Sequence, residues 1–408
     1  GVGCAPMRIL VADDFPKKHL EGLRALGLTV DFSPGLKGPD LVEAARNASI
    51  LVVRSTEVPA PVFQAAKGLS LVIRAGAGVN TIDVKAASEH GVFVANCPGQ
   101  NAIAVAELAL GLILAMDRRI PDNVLKLREG KWQKKVFSKA RGLYGRKLGL
   151  VGTGSIAIHT GRRALAFGMK VRAYSRSFSD ARAVELGFGR ADSVMALARD
   201  ADVLSVHVPG SADTKGLISR AVLAALPDGA LFVNTSRADV VDQAALLEEA
   251  KSGRLRVAVD VYDKEPKGGE ADFVSELAQL PNVYGTHHIG ASTDQAQDAI
   301  ALETVRMVDC FLHRGEVPNC VNVARRTSAS WQLIVRHLDK VGVLAGVMHE
   351  IRQAGINAQE IENTVFEGGA AACCKIQLDS RPPDEVVEKI RAPQEIIFVD
   401  LVELRSQA

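Results

Sequence analysis

The sequence predicts an α/β chain: two doubly wound parallel-sheet lobes followed by a C-terminal ferredoxin-like βαββαβ domain. Three observations predict it. Short apolar runs rich in Val, Ile and Leu alternate with helical segments from Met7 onward, as strands buried on both faces of a parallel sheet do. A chain of 408 residues outgrows a single core, so two sheets are expected rather than one. Beyond residue 330 the order changes to strand, helix, strand, strand, helix, strand.

Composition narrows the function classes. Apolar residues make up 47% and charged residues 24%, the globular range. A formal net charge of +2 offers no basic footprint for nucleic acid. The longest apolar run, Leu108–Met116, is far short of the roughly 20 residues a membrane span requires. The opening GVGCAP lacks the basic start and apolar core of a secretion signal. The cysteines show no ligand spacing, so neither a metal nor a disulfide framework is expected, and free thiols suit a cytoplasmic location.

Each element follows in order. MRILVA, ILVVRS, LSLVIRA and GVFVAN are the strands of the first lobe. KLGLVG, KVRAYS, DVLSVHV, GALFVNTS, RVAVDVY and NVYGTHH repeat the rhythm in the second. The segment 96–115, turn residues running into a long apolar helix, reads as the crossing between lobes. A return crossing is expected after THHIGAST (286–293). VNVARRTSAS (321–330) is polar, basic and aperiodic, and reads as a linker. SWQLIVRH, GVLAGVMHEIRQAG, INAQEIENTVF, AAACCKIQLD, DEVVEKIRA and EIIFVDLVEL then supply the βαββαβ order.

KLGLVGTGSIA (147–157) is a strand, then Gly152-x-Gly154-x-x-Ala157, then a helix. Gly152 permits the tight turn, Gly154 lets a pyrophosphate approach the backbone, and Ala157 is small enough for helix–strand packing. The helix N-terminus adds amide donors and a positive dipole end. In a βαβ unit of this length the motif indicates a dinucleotide-binding Rossmann lobe. The next strand, in VRAYSRS (171–177), ends without the acid that usually accepts from the adenosine ribose. Ser175 and Arg176 stand there, able to donate to and pair with a 2′-phosphate. The cofactor is therefore NAD or NADP, with a tilt to NADP.

Three further strand ends carry candidate chemistry: Arg237 in NTSRADVVD, Asp260 and Glu265 in AVDVYDKEP, and His287 and His288 in THHIGAST. Strand ends of one doubly wound sheet line a common crevice. Hydride transfer from a 2-hydroxy acid needs a base for the hydroxyl proton, which His supplies near neutral pH. A carboxylate orients the ring, and a guanidinium holds the substrate carboxylate.

LVVRSTEV, RAGAGVN, NCPGQN, GLVGTGSIA, AFGMKV, HVPGSADT, NTSR, DVYDKEP and HHIGAST together resemble, in order and spacing across residues 7–322, the D-isomer-specific 2-hydroxyacid dehydrogenases. The likeness is greatest to the branch acting on D-3-phosphoglycerate. The resemblance implies a flavodoxin-like substrate lobe (1–98 with 289–321), an NAD(P)-binding lobe (99–288), a linker (322–330) and an ACT-like regulatory domain (331–408). It implies Arg237, Glu265 and His288 as the catalytic set. Cofactor contacts would come from Gly152, Gly154, Ser155, Ile156, Ser175, Arg176, His207, Val208, Pro209, Thr214, Thr235, Ser236, Asp260 and His288. The substrate would be held by Gly76, Ala77 and Gly78, with Arg54, Ser55 and Arg74 toward a phosphate and Lys134 offered from a neighbouring subunit.

RHLDKVGVLAGVMHEIRQAGIN (336–357) with GGAAACCKIQLD resembles an ACT module. Such modules pair across a dimer, so a homodimer or tetramer is implied, with His337, Asp339 and Asn357 at an amino-acid effector site. The activity implied is NAD(P)-dependent oxidation of D-3-phosphoglycerate to 3-phosphohydroxypyruvate, the entry to serine synthesis. The alternatives are an NADPH-dependent glyoxylate or hydroxypyruvate reductase, and a non-catalytic dinucleotide sensor of corepressor type. Neither membrane nor nucleic acid is expected as a partner.

Overall fold

The computed structural model describes residues 7–266, 270–324 and 327–404. The opening GVGCAP, part of the expected linker, residues 267–269 and the last four residues lie outside them. The chain divides into two units, residues 1–322 and 323–408.

The first unit holds two parallel sheets. Strands β1 (Arg8–Val11), β2 (Thr29–Phe32), β3 (Ile50–Val53), β4 (Leu71–Arg74) and β5 (Phe93–Asn96) form one in the order β2-β1-β3-β4-β5. Strands β6 (Lys147–Val151), β7 (Lys170–Tyr174), β8 (Gly189–Arg190), β9 (Val203–Val206), β10 (Leu231–Asn234), β11 (Arg256–Val259) and β12 (Val283–Gly285) form the other in the order β12-β11-β10-β9-β6-β7-β8. The two orders are those of doubly wound folds, with the order reversing beside β1 and beside β6.

The apolar runs make these strands because both faces are covered. On β3, Ile50 and Val52 join one core while Leu51 and Val53 join the core on the opposite face. Leu204 and Val206 of β9 lie on one face of the second sheet, and Val203 on the other. This two-residue period is the strand signature.

The crossings tie each lobe to its own helix. Ala109, Leu112, Ile113 and Met116 of the helix Ala102–Arg118 pack under Val203, Leu231 and Val233 of the second sheet. The return helix Asp294–Arg314 places Ile300, Ala301, Met307 and Val308 against Ile9, Val11, Ile50 and Val52 of the first. Thr293 caps its start by accepting from the Ala296 amide, satisfying an otherwise orphaned donor.

The second unit is an antiparallel sheet of β13 (Trp331–Leu338), β14 (Ala358–Val365), β15 (Ala371–Leu378) and β16 (Ile396–Glu403), ordered β14-β15-β13-β16. Helices Val343–Gln353 and Asp384–Arg391 cover one face. Their Val347, Ile351, Val386, Val387 and Ile390 fill a core with Leu333, Val335, Cys374 and Ile376. The order is ferredoxin-like. Among the described residues no helix is long and apolar enough to cross a membrane.

Candidate active site

The glycine turn is built as a close-approach site. Gly152 follows β6 with φ of 107°, a conformation that costs other residues energy. A side chain there would also collide with the His207 backbone carbonyl. Gly154 has open space where a Cβ would stand, and the helix Ser155–Ala166 begins directly after it without a side-chain cap. Its first amides are thus left for a ligand. Ser155 and Ile156 occupy that first turn, and Ala157 is buried against the sheet.

Two buried polar atoms at neighbouring strand ends have no partner: Nδ1 of His207, after β9, and Oγ1 of Thr235, after β10. His207 shares its other ring nitrogen with Ser205 Oγ at 2.8 Å. Burial pushes its pKa down to about 4, so the ring is neutral near pH 7. Val208 crowds the Gly152 position. Thr214 Oγ1 donates to the Pro209 carbonyl at 2.6 Å and accepts from the Ser211 amide at 2.9 Å, fixing the loop after β9. An open glycine cradle, a bare helix start and orphaned polar atoms fit a dinucleotide.

The residues expected to meet a 2′-phosphate are both engaged within the chain. Ser175 Oγ lies 2.7 Å from Thr153 Oγ1. Arg176 Nη2 donates to Asp213 at 3.2 Å, with both side chains largely exposed.

His288 and Glu265 are brought together. Nδ1 of His288 stands 2.6 Å from Glu265 Oε2, and Oε1 accepts from the Tyr262 amide at 2.8 Å. The carboxylate is held by its own loop and in turn fixes the imidazole. His288 has φ of 53°, a left-handed conformation costing of order 1–3 kcal/mol in a non-glycine residue. Asp260 stabilises this turn. One of its oxygens accepts from Thr286 Oγ1 at 2.7 Å and the Ile289 amide at 2.9 Å, and the other from the Gly290 amide at 2.9 Å. Asp260 is only 1% exposed, so it acts here as the anchor of the loop that carries His288. Burial, reinforced by the charges of Asp260 and Glu265, pushes Tyr262 up to about 12.

Arg237 leaves β10 on the turn NTSR. Asn234, fully buried, braces this turn: its Oδ1 accepts from the Ser236 amide and hydroxyl at 3.0 Å each, and its Nδ2 donates to the Arg237 carbonyl at 2.9 Å. The Arg237 guanidinium reaches the first lobe, where Nη2 lies 3.9 Å from the point a Gly78 Cβ would occupy.

The first lobe answers with two more arginines. Arg74 Nε donates to the Arg54 carbonyl and Nη1 to the Gly78 carbonyl, each at 3.0 Å. It therefore splints the 76–78 loop, and Asn96 Nδ2 holds the Ala77 carbonyl at 2.7 Å. Burial and then the nearby Arg237 charge lower the Arg74 pKa, with Arg54 adding to the effect. Three cations thus share this side of the cleft. Asp13 caps the loop after β3: it accepts from the amides of Arg54, Ser55 and Thr56 at 2.6, 3.1 and 3.0 Å. Gln297 accepts from Arg54 Nη1 at 2.9 Å and donates to the Ala291 carbonyl at 3.2 Å.

Sequence reasoning did not single out Asp13, Asn234, Asp213 or Gln297. Asn234 and Asp13 carry a usable signal, a polar residue at or just past an apolar strand. Asp213 and Gln297 carry none, since their partners are distant in sequence.

Lys134 opens the short helix Lys134–Phe137 and is exposed. In the second unit His337 is 1% exposed, with Nδ1 2.7 Å from the Leu338 carbonyl and Nε2 3.2 Å from Asn363 Oδ1. Asp339 and Asn357 are exposed. A cavity of about 430 Å³ in that unit is lined by Lys340, Gly342, Gly346, Glu350, Lys389 and Glu395 among others, and by none of those three.

Comparison with known proteins bears on this geometry. Residues 110–290 match the family model of the D-isomer specific 2-hydroxyacid dehydrogenase, NAD binding domain. The chain is 36% identical to a D-3-phosphoglycerate dehydrogenase of Archaeoglobus fulgidus over 346 residues, 84% of this chain and 64% of the relative. It is 40% identical to a hydroxypyruvate reductase of Thermotoga maritima over 278 residues, 68% of this chain and 89% of that protein. A crystal structure from Thermus thermophilus superposes with a TM-score of 0.69 at 34% identity, covering 77% of this chain and all of that one. The chain therefore spans somewhat less than two thirds of the Archaeoglobus relative.

Proposed function

The chain belongs to the D-isomer-specific 2-hydroxyacid dehydrogenases, and on that premise we propose that it oxidises D-3-phosphoglycerate to 3-phosphohydroxypyruvate with NAD or NADP. The observation that carries the substrate reading is a cluster of three arginines: Arg74 and Arg237 at the 76–78 loop, with Arg54 close enough to Arg74 to lower its pKa. One arginine suffices for a carboxylate; three suit a substrate that also bears a phosphate.

Each residue then has a task. Arg237 pairs with the substrate carboxylate and polarises the C2 oxygen. The 76–78 loop, splinted by Arg74 and Asn96, offers backbone donors to the same carboxylate. Arg54, aimed by Gln297, faces the phosphate. His288 takes the C2 hydroxyl proton on Nε2 while Glu265 stabilises the resulting imidazolium through Nδ1–H. When bound, the oxidised nicotinamide supplies the acceptor for the C2 hydride. Loss of one hydride and one proton leaves the 2-keto acid.

The reading extends to assembly. Leu125, Leu127, Trp132 and Tyr144 are all more than half exposed, Trp132 at 81%. Large apolar side chains left exposed on both sides of Lys134 in the chain support a homo-oligomer in which Lys134 serves the neighbour's site.

The test is a steady-state matrix of phosphohydroxypyruvate, hydroxypyruvate and glyoxylate against NADH and NADPH. The phosphorylated acid should lead in kcat/KM. The identity to a hydroxypyruvate reductase favours a second reading, reduction of the unphosphorylated acid, and a large preference for hydroxypyruvate would establish it in place of the first.

A further inference from the structure

The strand after the glycine turn ends without an acid, yet an acid reaches that place from elsewhere. Sheet order puts β6 between β9 and β7. The glycine turn leaves β6, Arg176 follows β7, and Asp213 lies on the loop after β9. The contact between Arg176 and Asp213 at 3.2 Å therefore arches over the exit of the glycine turn, where the adenosine half of a dinucleotide would lie. Ser175 does not compete for this role, because its hydroxyl is paired with Thr153 inside the turn.

We propose that Asp213 is the residue that sets cofactor selectivity, by holding Arg176 and presenting a negative charge to any 2′-phosphate. The inference rests on the dinucleotide reading of this lobe. A 2′-hydroxyl brings no charge and leaves the pair intact. A 2′-phosphate brings up to two negative charges, must draw Arg176 away from Asp213, and then faces an unpaired carboxylate. The chain is in this respect an NAD site with a latent NADP anchor. Both side chains are exposed, at 81% and 68%, so the pair is weak, exchangeable and screened by salt.

The experiment measures NADH and NADPH affinity by fluorescence titration of the full chain, for the parent, Asp213→Asn, and Asp213→Asn with Arg176→Ala. Asp213→Asn should tighten NADPH by roughly two- to fivefold, the range expected for an exposed charge pair, while NADH affinity stays the same. The gain should vanish when Arg176 is also removed, and should shrink in 0.5 M KCl, by the rule that salt screens exposed charges; a purely structural change in the loop would show neither behaviour. NADH binding with an unchanged NADPH-to-NADH ratio overturns the role of Asp213 alone. Failure of the parent to bind either nucleotide overturns the dinucleotide reading, and this inference with it.

Discussion

The two parallel-sheet lobes share one plan and present opposite chemistries at their strand ends. The first lobe offers permanent cations, Arg54 and Arg74, locked by backbone carbonyls and by Gln297. The second offers a bare helix start, a titratable pair at 2.6 Å and a buried neutral imidazole. Fixed charge suits holding an anion, since it does not depend on pH. Proton transfer needs groups whose charge can change. The lesson is that the sheet supplies only a rim of convergent loops; the residue types on each rim decide whether it grips or reacts.

The sharpest way to break this division is at His288. His288→Ala should lower kcat by about 10²–10⁴-fold, the usual worth of a general base, with nucleotide affinity nearly unchanged. Glu265→Gln should cost less and shift the pH profile of kcat/KM, because the ring keeps a neighbour but loses its counter-charge. A His288→Ala enzyme of near-parental kcat would remove the reacting role from the second lobe. Arg237, which reaches from the second lobe to the first, comes next. Arg237→Ala should cost about 10²–10³-fold in kcat/KM, in the range of a lost oxyanion-type donor. Its effect should fall on both kcat and KM, whereas Arg54→Ala should raise KM for the phosphorylated acid and leave hydroxypyruvate turnover unaltered. Equal losses on both substrates would show that Arg54 does not read the phosphate.

Gly152→Ala tests the nucleotide end of the same rim. The new methyl group meets the His207 carbonyl at a φ of 107°, so two penalties coincide. Nucleotide affinity should drop more than about tenfold and the melting temperature should fall by several degrees, as expected for a destabilisation of a few kcal/mol. Tight nucleotide binding by a fully folded Gly152→Ala protein would remove the glycine cradle from the site.

Much of the fold was legible because burial on both faces writes itself as continuous apolar runs. ILVV, LVIR, LFVN and RVAV all became central strands. The strands that escaped are edges: β2 (TVDF) is only half-buried, and β8 is two exposed residues, Gly189 and Arg190. An edge strand has one covered flank and needs fewer apolar residues. The βαββαβ order of the C-terminal unit was equally plain, since its strands and helices alternate without insertions. In the site, Glu265 and His288 were legible by chemistry and strand-end position. Asp260, expected as a cofactor contact, is engaged by three donors of the turn it anchors, which the local sequence does not show. The expected tilt to NADP rested on two side chains whose partners, Thr153 and Asp213, are set by tertiary contact. Local sequence gives the type of group at a strand end; which neighbour occupies it depends on sheet order.

The smallest effect concerns stability and separates the lobes by pH. His207 has a folded pKa of about 4 against about 6.5 for an unperturbed histidine. Between those values the unfolded chain binds the proton and the folded chain does not, so stability rises with pH across that window. Acidification from about pH 6.5 to pH 4 should therefore cost the chain up to roughly 3 kcal/mol from this group. His207→Gln keeps a polar side chain beside Ser205 but cannot titrate. Its stability, measured by urea denaturation at pH 7, 6, 5 and 4, should lack that part of the slope. Arg74→Lys exchanges one cation for another over this range, so it should shift stability by a constant amount at every pH. An acid slope unchanged in His207→Gln would show that the second lobe's buried imidazole is not what makes this protein sensitive to acid.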